Sequence, residues 1–197
     1  MVLRTGDDSD AAAAAGLHVG QISEGFLTFL GPRFLQRLYR RVTRTQGCFL
    51  LVVVDQGTTV GFLAGSTDVA ALYRSFVWRD GFTAALVSGG RILRSWRRVV
   101  ETLRHGTGSA GEGAELLAVA VDPTARGRGA GTLLVEGFLT EIGRRGQRAA
   151  HVVVAADNEA AVSLYRRAGF HMAERFELHS GTESLLMHWS GQPDTGS

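Results

Sequence analysis

The sequence contains no lysine, and all 21 of its basic residues are arginines. Nucleotide-binding loops of the Walker type need a lysine on the phosphates, and pyridoxal enzymes need one for their Schiff base. Both classes of protein are therefore excluded. The richness in arginine, alanine and glycine is also what a GC-rich coding bias produces, so it does not by itself indicate a function.

Cysteine is almost absent as well, because Cys48 is the only one. An internal disulfide is excluded, which favours a reducing compartment. Cys48 precedes the apolar run 49–54, a position typical of a buried structural thiol. No stretch approaches the roughly 20 apolar residues of a membrane span, and the acidic N-terminus has the wrong charge order for a secretory signal. We therefore predict a soluble, cytoplasmic protein.

Length and charge limit the function further. A chain of 197 residues with 45% apolar residues fits one globular domain, predicted over 1–190 with a tail at 191–197. The formal charge of +2 is too small to indicate nucleic-acid binding. No two of the six histidines are three or four positions apart, so no helical metal pair is expected. A Gly-x-Ser-x-Gly nucleophile elbow is also missing.

The hydrophobic pattern predicts alternating strands and helices. Two strand-then-helix units follow each other in the second half, which implies a mixed sheet with helices packed on it. The predicted strands are 2–5, 49–54, 59–64, 116–121, 151–155, 176–178 and 184–189, and the predicted helices are 11–22, one starting at Pro32, 132–142 and 158–168. Between the third and fourth strands, 67–113 reads as an insertion with helical patterns at 69–78 and 92–103 and a glycine-rich loop at 106–113.

The segment 116–131 carries the chemistry. It reads as a buried strand, a sharp turn, a glycine-rich loop and a helix start, and Gly127, Gly129 and Gly131 leave the loop backbone unobstructed. Backbone N–H groups and the positive end of the helix then favour a phosphate, so the expected ligand is a polyphosphate ester. A dinucleotide fingerprint is disfavoured, since Thr132 stands where its third glycine belongs and no acidic residue ends the next strand.

The remaining match is Arg126-x-x-Gly129-x-Gly131, which resembles the coenzyme A loop of the GCN5-related N-acetyltransferase (GNAT) family. The residues before it, Val121-Asp122-Pro123, are similar too. A second segment, 158–170, resembles the family's next motif, an asparagine followed by a helix with a tyrosine and then Gly-Phe. The resemblance covers roughly 114–190. Each residue also has a purely structural interpretation: Asn158 and Gly169 as helix caps, and Tyr165 as a half-buried aromatic.

The resemblance implies an α/β (α+β) GNAT fold, a mixed central sheet with helices on both faces and the helical insertion between its third and fourth strands. It implies acetyl-CoA as acyl donor, without a metal. The residues implied to contact the cofactor are Val119, Ala120, Val121, Arg126, Gly127, Arg128, Gly129, Ala130, Gly131, Thr132, Asn158 and Tyr165.

The resemblance also implies catalytic roles. Tyr165 donates a proton to the departing thiolate, and a backbone N–H near Val119 to Val121 stabilises charge on the thioester oxygen. Glu115, at the start of the strand, matches the base of some GNAT branches, although it also fits an exposed strand-end carboxylate. Glu112, Asp157 or a water chain are the alternatives for the base.

The acceptor is the least constrained part of the function. A small-molecule amine such as an amino sugar is the first hypothesis, because a long insertion can enclose a pocket with Trp78, Phe82 or Trp96. Arginines between 91 and 104 fit a phosphate-bearing acceptor or a solvated helix face. A protein or peptide acceptor is the second hypothesis, and a non-catalytic acyl-CoA-binding or nucleic-acid-associated module is the third. The inserted helix and the last strands also suit a homodimer.

Overall fold

The computed structural model describes residues 1–22, 31–69, 113–177 and 183–191. The strands of this part of the chain are β1 (Val2–Thr5), β2 (Cys48–Asp55), β3 (Thr58–Ser66), β4 (Ala114–Val121), β5 (Ala149–Ala155), β6 (His171–Glu177) and β7 (Glu183–Ser190). The α-helices are α1 (Ala11–Gln21), α2 (Pro32–Arg44), α3 (Ala130–Arg144) and α4 (Glu159–Arg167), and a 3-10 turn spans Pro123–Ala125.

The strands form one seven-stranded sheet in the order β1-β2-β3-β4-β5-β7-β6. Neighbouring strands are antiparallel except β4 and β5, which run parallel. A parallel pair needs a crossover, and α3 provides it between β4 and β5. The strands predicted at 49–54 and 59–64 form an antiparallel hairpin: β2 and β3 are joined by Gln56 and Gly57, both with positive φ, as a tight two-residue turn requires.

Alternation along the strands divides the core into two clusters, one on each face of the sheet. Leu51, Val53 and Leu63 point to the face covered by α3 and α4. Leu50 and Val52 point to the face covered by α1 and α2. The prediction of a mixed sheet with helices on both faces is therefore confirmed.

Most element bounds lie within two or three residues of the sequence prediction, and three details are informative. Strand β6 begins at His171 rather than at 176, because this edge strand is largely exposed and lacks the apolar alternation that marks a half-buried strand. Helix α3 begins at Ala130, two residues early. Asp10 precedes α1 but makes no capping bond; its carboxylate accepts from the Asp7 N–H at 2.9 Å and pairs with Arg4.

The predicted insertion follows β3 and precedes β4, as expected, but residues 70–112 lie outside the described part of the chain. The two helical patterns predicted there, the arginines between 91 and 104, Trp78, Phe82, Trp96 and Glu112 therefore lie outside it too. Among the residues described, no helix is long and apolar enough to cross a membrane.

Candidate active site

The predicted loop lies between β4 and α3 and has the geometry of an anion site. Asp122 shapes the turn: its N–H donates to the Val60 carbonyl at 2.8 Å, and its carboxylate accepts from the Thr124 N–H at 2.9 Å. Helix α3 then starts at Gly129 without a side-chain cap. The N–H groups of 129–132 thus have no partner within the helix and sit at its positive end. These groups fit a diphosphate.

The three loop glycines serve two different purposes. Gly127 has φ of 69° and Gly129 φ of 89°, and a Cβ on either would meet nothing within 4 Å. Glycine is favoured there by backbone conformation, not by lack of space. Gly131 is helical, and its Cβ would lie 3.1 Å from the Leu164 side chain. The third glycine therefore lets α3 approach α4.

The two loop arginines are exposed, and each contacts another element. Arg126 donates to the Gln21 side chain at 2.6 Å, at the end of α1, and to the Val121 carbonyl at 3.4 Å. Arg128 donates to Asp55 at 2.8 Å, next to the β2–β3 turn. This hydrogen bond is the main reason why the pKa of Asp55 lies below its usual value. The loop is thus fixed to α1 and to the hairpin. Ala130 is buried, whereas Thr132 is exposed in the first turn of α3.

The sheet opens beside this loop. Strands β4 and β5 pair only at Ala114 with Ala150 and at Glu115 with His151. Beyond Glu115 they separate, while β5 continues along β7 to Ala155. We call the last paired position, Glu115 with His151, the vertex. Six residues of strand separate Glu115 from Val121, so the loop lies roughly 20 Å from the vertex.

The β4 backbone alternates between bonding β3 and facing this opening. Because the Asp122 N–H donates to Val60 on β3, the N–H of Ala120 also points toward β3 in an antiparallel ladder. The polar groups of Val119 and Val121 then point away from β3, into the opening. Of the three predicted backbone contacts, those of Val119 and Val121 thus lie outside the ladder with β3, where the Val121 carbonyl accepts from Arg126, whereas the groups of Ala120 serve the ladder.

Tyr165 is held by the motif that ends α4. The Phe170 N–H donates to the Tyr165 carbonyl at 3.0 Å and the Gly169 N–H to the Arg166 carbonyl at 3.0 Å, with Gly169 at φ of 91°. This is a Schellman motif, and its hydrophobic contact is the Tyr165 ring against Phe170, 5.7 Å between centroids. Burial raises the pKa of Tyr165 well above its usual value, so its hydroxyl keeps its proton.

Asn158 shows the structural role that its sequence position allows. Its side-chain oxygen accepts from the Ala161 N–H at 3.1 Å and caps α4. Contact with the cofactor stays a prediction for this residue. Asp157, one of the alternative bases, is exposed in the turn before the helix.

Glu115 lies at the vertex and has a partner that the sequence analysis missed. Its side chain is 20% exposed, and its Oε2 lies 3.6 Å from His151 Nε2. Ala114 and Leu116 belong to the α3/α4 cluster, so Glu115 points to the opposite face of the sheet from Tyr165. The contact could not be predicted without the order of strands in the sheet, because only the pairing of β4 with β5 brings Glu115 and His151 together.

A family model of the acetyltransferase (GNAT) family matches residues 21–170, about three quarters of the chain. The chain belongs to the GNAT family. Membership confirms the resemblance seen in the two motifs and the predicted class of enzyme, an acyltransferase. Acetyl-CoA is the acyl donor of GNAT acetyltransferases.

Solved GNAT structures have the same fold over nearly the whole length. The ribosomal-protein-alanine N-acetyltransferase from Brucella melitensis has a TM-score of 0.64 at 16% identity, covering 96% of this chain and 99% of its own. The yncA protein from Salmonella typhimurium, solved with its cofactor acetyl-CoA, has a TM-score of 0.64 at 16% identity, covering 99% and 96%. At such identities the likeness establishes the fold alone.

Curated relatives match a shorter segment. The mycothiol acetyltransferase of Pseudarthrobacter chlorophenolicus is 40% identical over 96 residues, which are 47% of this chain and 28% of the relative. The aligned part thus spans less than a third of that protein.

Proposed function

We propose that this GNAT protein transfers an acetyl group from acetyl-CoA to the primary amine of a small molecule, such as an amino sugar. The observation that carries the proposal is the opening between β4 and β5, which runs from the glycine loop to Glu115. The N–H groups at the start of α3 would hold the diphosphate. The backbone groups of Val119 and the N–H of Val121, which face the opening, would bind the pantetheine arm and direct the thioester toward the vertex.

Glu115 acts as the base in this proposal. An alkyl amine with a pKa near 10 is mostly protonated at neutral pH, so it must lose a proton before it attacks a thioester. Glu115 is partly buried at the vertex and can accept that proton. A β4 backbone N–H would stabilise the charge on the thioester oxygen, an interaction that contributes about 3 kcal/mol in comparable sites.

Tyr165 acts as the acid. It belongs to the α3/α4 cluster, whereas Glu115 points to the other face. An acceptor that enters from the Glu115 face and a thiolate that leaves toward Tyr165 would therefore use opposite sides of the same opening. This separation supports proton removal and proton donation by two different residues.

The acceptor class is supported by two observations. The matched relative is named a mycothiol acetyltransferase and is not named for a protein acceptor. The insertion also leaves the sheet beside the proposed base, since Ser66 at the end of β3 pairs with Glu115. The insertion is therefore in a position to select the acceptor. A peptide acceptor is the second candidate, because the fold is shared with an enzyme named for a ribosomal protein.

Calorimetry with acetyl-CoA, followed by thiol release with a panel of amines, tests the proposal. We expect binding, and turnover with amino sugars over peptides with a free N-terminus. Peptide turnover alone would support the second candidate. Binding without thiol release would support the hypothesis of a non-catalytic acyl-CoA-binding module. Salt-sensitive DNA binding would support a nucleic-acid-associated module. An absence of acetyl-CoA binding would overturn the whole proposal.

Replacing residues 69–112 by a short turn tests the role of the insertion. The turn can close because Ser66 and Glu115 are paired neighbours, and Thr67 stays because its N–H donates to the Gly47 carbonyl at 2.7 Å. Gly113 also stays, with φ of 114°. We expect retained acetyl-CoA binding and lost discrimination among amines. Unchanged discrimination would place acceptor selection elsewhere.

A further inference from the structure

A row of polar side chains crosses the sheet at the vertex, on the face of α1 and α2. Residues directly opposite each other on paired strands share a face, with Cβ atoms about 4.5–5.5 Å apart. The successive pairs are Cys48 with Ser66, Ser66 with Glu115, Glu115 with His151, His151 with His188, and His188 with His171. We call His151, His188 and His171 the histidine row. In the part of the chain that is described, no group of histidine, cysteine and acidic residues could hold a metal ion.

The polar row is buried on the β3 side of Glu115 and reaches solvent on the β5 side. Ser66 is fully buried, and its hydroxyl oxygen accepts from the Asp68 N–H at 3.1 Å and from the Cys48 thiol at 3.4 Å. Burial raises the pKa of Cys48, so this thiol keeps its proton. The Cys48 thiol and the Ser66 hydroxyl are thus engaged with each other on this side of Glu115.

The histidine row leads from Glu115 to solvent. The His151 side chain is 12% exposed and lies 3.6 Å from Glu115. The His188 and His171 rings are 5.6 Å apart between centroids, and His171 is exposed on the edge strand β6. Imidazole can accept a proton on one nitrogen and donate one from the other, which suits it to a relay.

Glu174 lies on the same face of the sheet as the histidine row, because it pairs with Leu186 on β7, two positions from His188. The pKa of His188 lies below its usual value because of burial, and then because of His171 and His151. The lowered pKa keeps His188 mainly neutral at pH 7, so a proton passed to its ring is readily passed on.

We propose that the histidine row carries the proton that Glu115 removes from the acceptor amine to solvent at the β6 edge. The inference rests on the proposed function. In each turnover, Glu115 gains one proton from the amine and gives it to His151 Nε2. His151 then releases its other ring proton to His188, which passes one to His171 and on to water. Each imidazole is left in its other tautomer, and ring rotation or proton exchange with water restores the starting tautomer before the next turnover. Glu115 is left ionised, and no electron changes hands.

The relay is needed because Glu115 is largely enclosed. Its side chain is only one fifth exposed, and the proposed acceptor and thioester would cover it further. A base that cannot lose the proton it has accepted supports only one turnover. The residues of the histidine row are thus predicted to affect turnover and not substrate binding.

His151→Gln and His171→Gln test the inference, with Glu174→Gln as the matched control on the same face. Thiol release is measured with acetyl-CoA and the best amine of the panel, in dilute buffer and in concentrated imidazole buffer. We expect His151→Gln to lower kcat by about 10-fold or more, with both KM values unchanged and with rescue by imidazole. His171→Gln, at the exposed edge and thus safe for folding, should show a smaller loss and the same rescue. Glu174→Gln should leave kcat unchanged.

Histidine NMR without substrates supplies a readout that is independent of turnover. Replacing His151 or His171 by glutamine should raise the pKa of His188, since each removes an imidazole whose charged form lowers that pKa. An unmoved His188 pKa, or a wild-type kcat in His151→Gln, would overturn the inference while the acetyltransferase proposal stands. A protein that binds no acetyl-CoA or acetylates no amine would overturn both, whatever the NMR result.

Discussion

At the scale of single residues, several side chains of the candidate site combine a predicted functional role with a structural contact. Tyr165 was found in the sequence by its place in a motif, but its pairing with Phe170 emerged only from the helix end that joins them. Asn158 was predicted with both a binding and a capping role, and the capping bond is present. His151 was missed because a one-dimensional pattern does not tell which strands are neighbours.

The Tyr165 hydroxyl is the sharpest test at this scale. Tyr165→Phe keeps the ring that packs on Phe170 and removes only the proposed acid, so the fold and the affinity for acetyl-CoA should be preserved. We expect kcat to fall by about 100-fold, a typical contribution of general acid catalysis. Thiol release gives kcat and calorimetry gives the affinity. An unchanged kcat would remove the tyrosine from the mechanism and leave the loop assignment intact.

At the scale of secondary structure elements, buried segments were predicted better than edges. The apolar strands and both helices that follow them were located within a few residues, because their buried faces repeat at the period of the element. Strand β6 was largely missed, since an edge strand with exposed residues carries little pattern. The glycines of the loop were identified, but their separate reasons, backbone conformation at Gly129 and contact with Leu164 at Gly131, required the structure.

The end of α4 gives a prediction for a whole element. Gly169→Ala forces a side chain into φ of 91°, which costs about 1 kcal/mol or more, and loosens the Tyr165–Phe170 contact. The melting temperature and kcat should both fall. Gly143→Ala is the matched control, because Gly143 lies in α3 with nothing within 4 Å of its Cβ and without a positive φ. It should stabilise the protein slightly. Equal effects of the two substitutions would contradict this account.

At the scale of the whole molecule, the fold class followed from the order of strands and helices, but the opening in the sheet did not. The β4 sequence from Leu116 to Val121 is continuously apolar and predicts only a buried strand. The separation from β5 after Glu115 depends on how β5 pairs with β7, a long-range contact without a local signal. The pairing of α1 with α2 across the other face is equally non-local, and it rests on a buried polar contact.

That contact makes the stability of the molecule sensitive to acid. His18 on α1 and Tyr39 on α2 are buried, and His18 Nδ1 lies at hydrogen-bond distance, 2.5 Å, from the Tyr39 hydroxyl. Burial lowers the pKa of His18 below its usual value near 6.5. The unfolded state therefore binds a proton on His18 near pH 6.5, whereas the folded state binds one only at lower pH. The contribution of neutral His18 to the free energy of unfolding is complete above pH 6.5 and is lost as the pH falls toward the folded-state pKa. Between the two pKa values the slope for one such group approaches about 1.4 kcal/mol per pH unit.

Urea unfolding at pH 7.5, 6.5 and 5.5 measures this slope. The pKa of His188 is lowered as well, so both histidines contribute to the pH dependence of the free energy of unfolding in the wild type. His18→Gln removes the contribution of His18 and keeps a side chain that can hydrogen-bond Tyr39. We expect His18→Gln to be less stable than the wild type at pH 7.5 but to lose less stability when the pH is lowered. His188→Gln should change this pH dependence less than His18→Gln does, because His188 is less deeply buried than His18. A steeper acid loss in His18→Gln than in the wild type would show that the α1–α2 contact is not held by a neutral histidine.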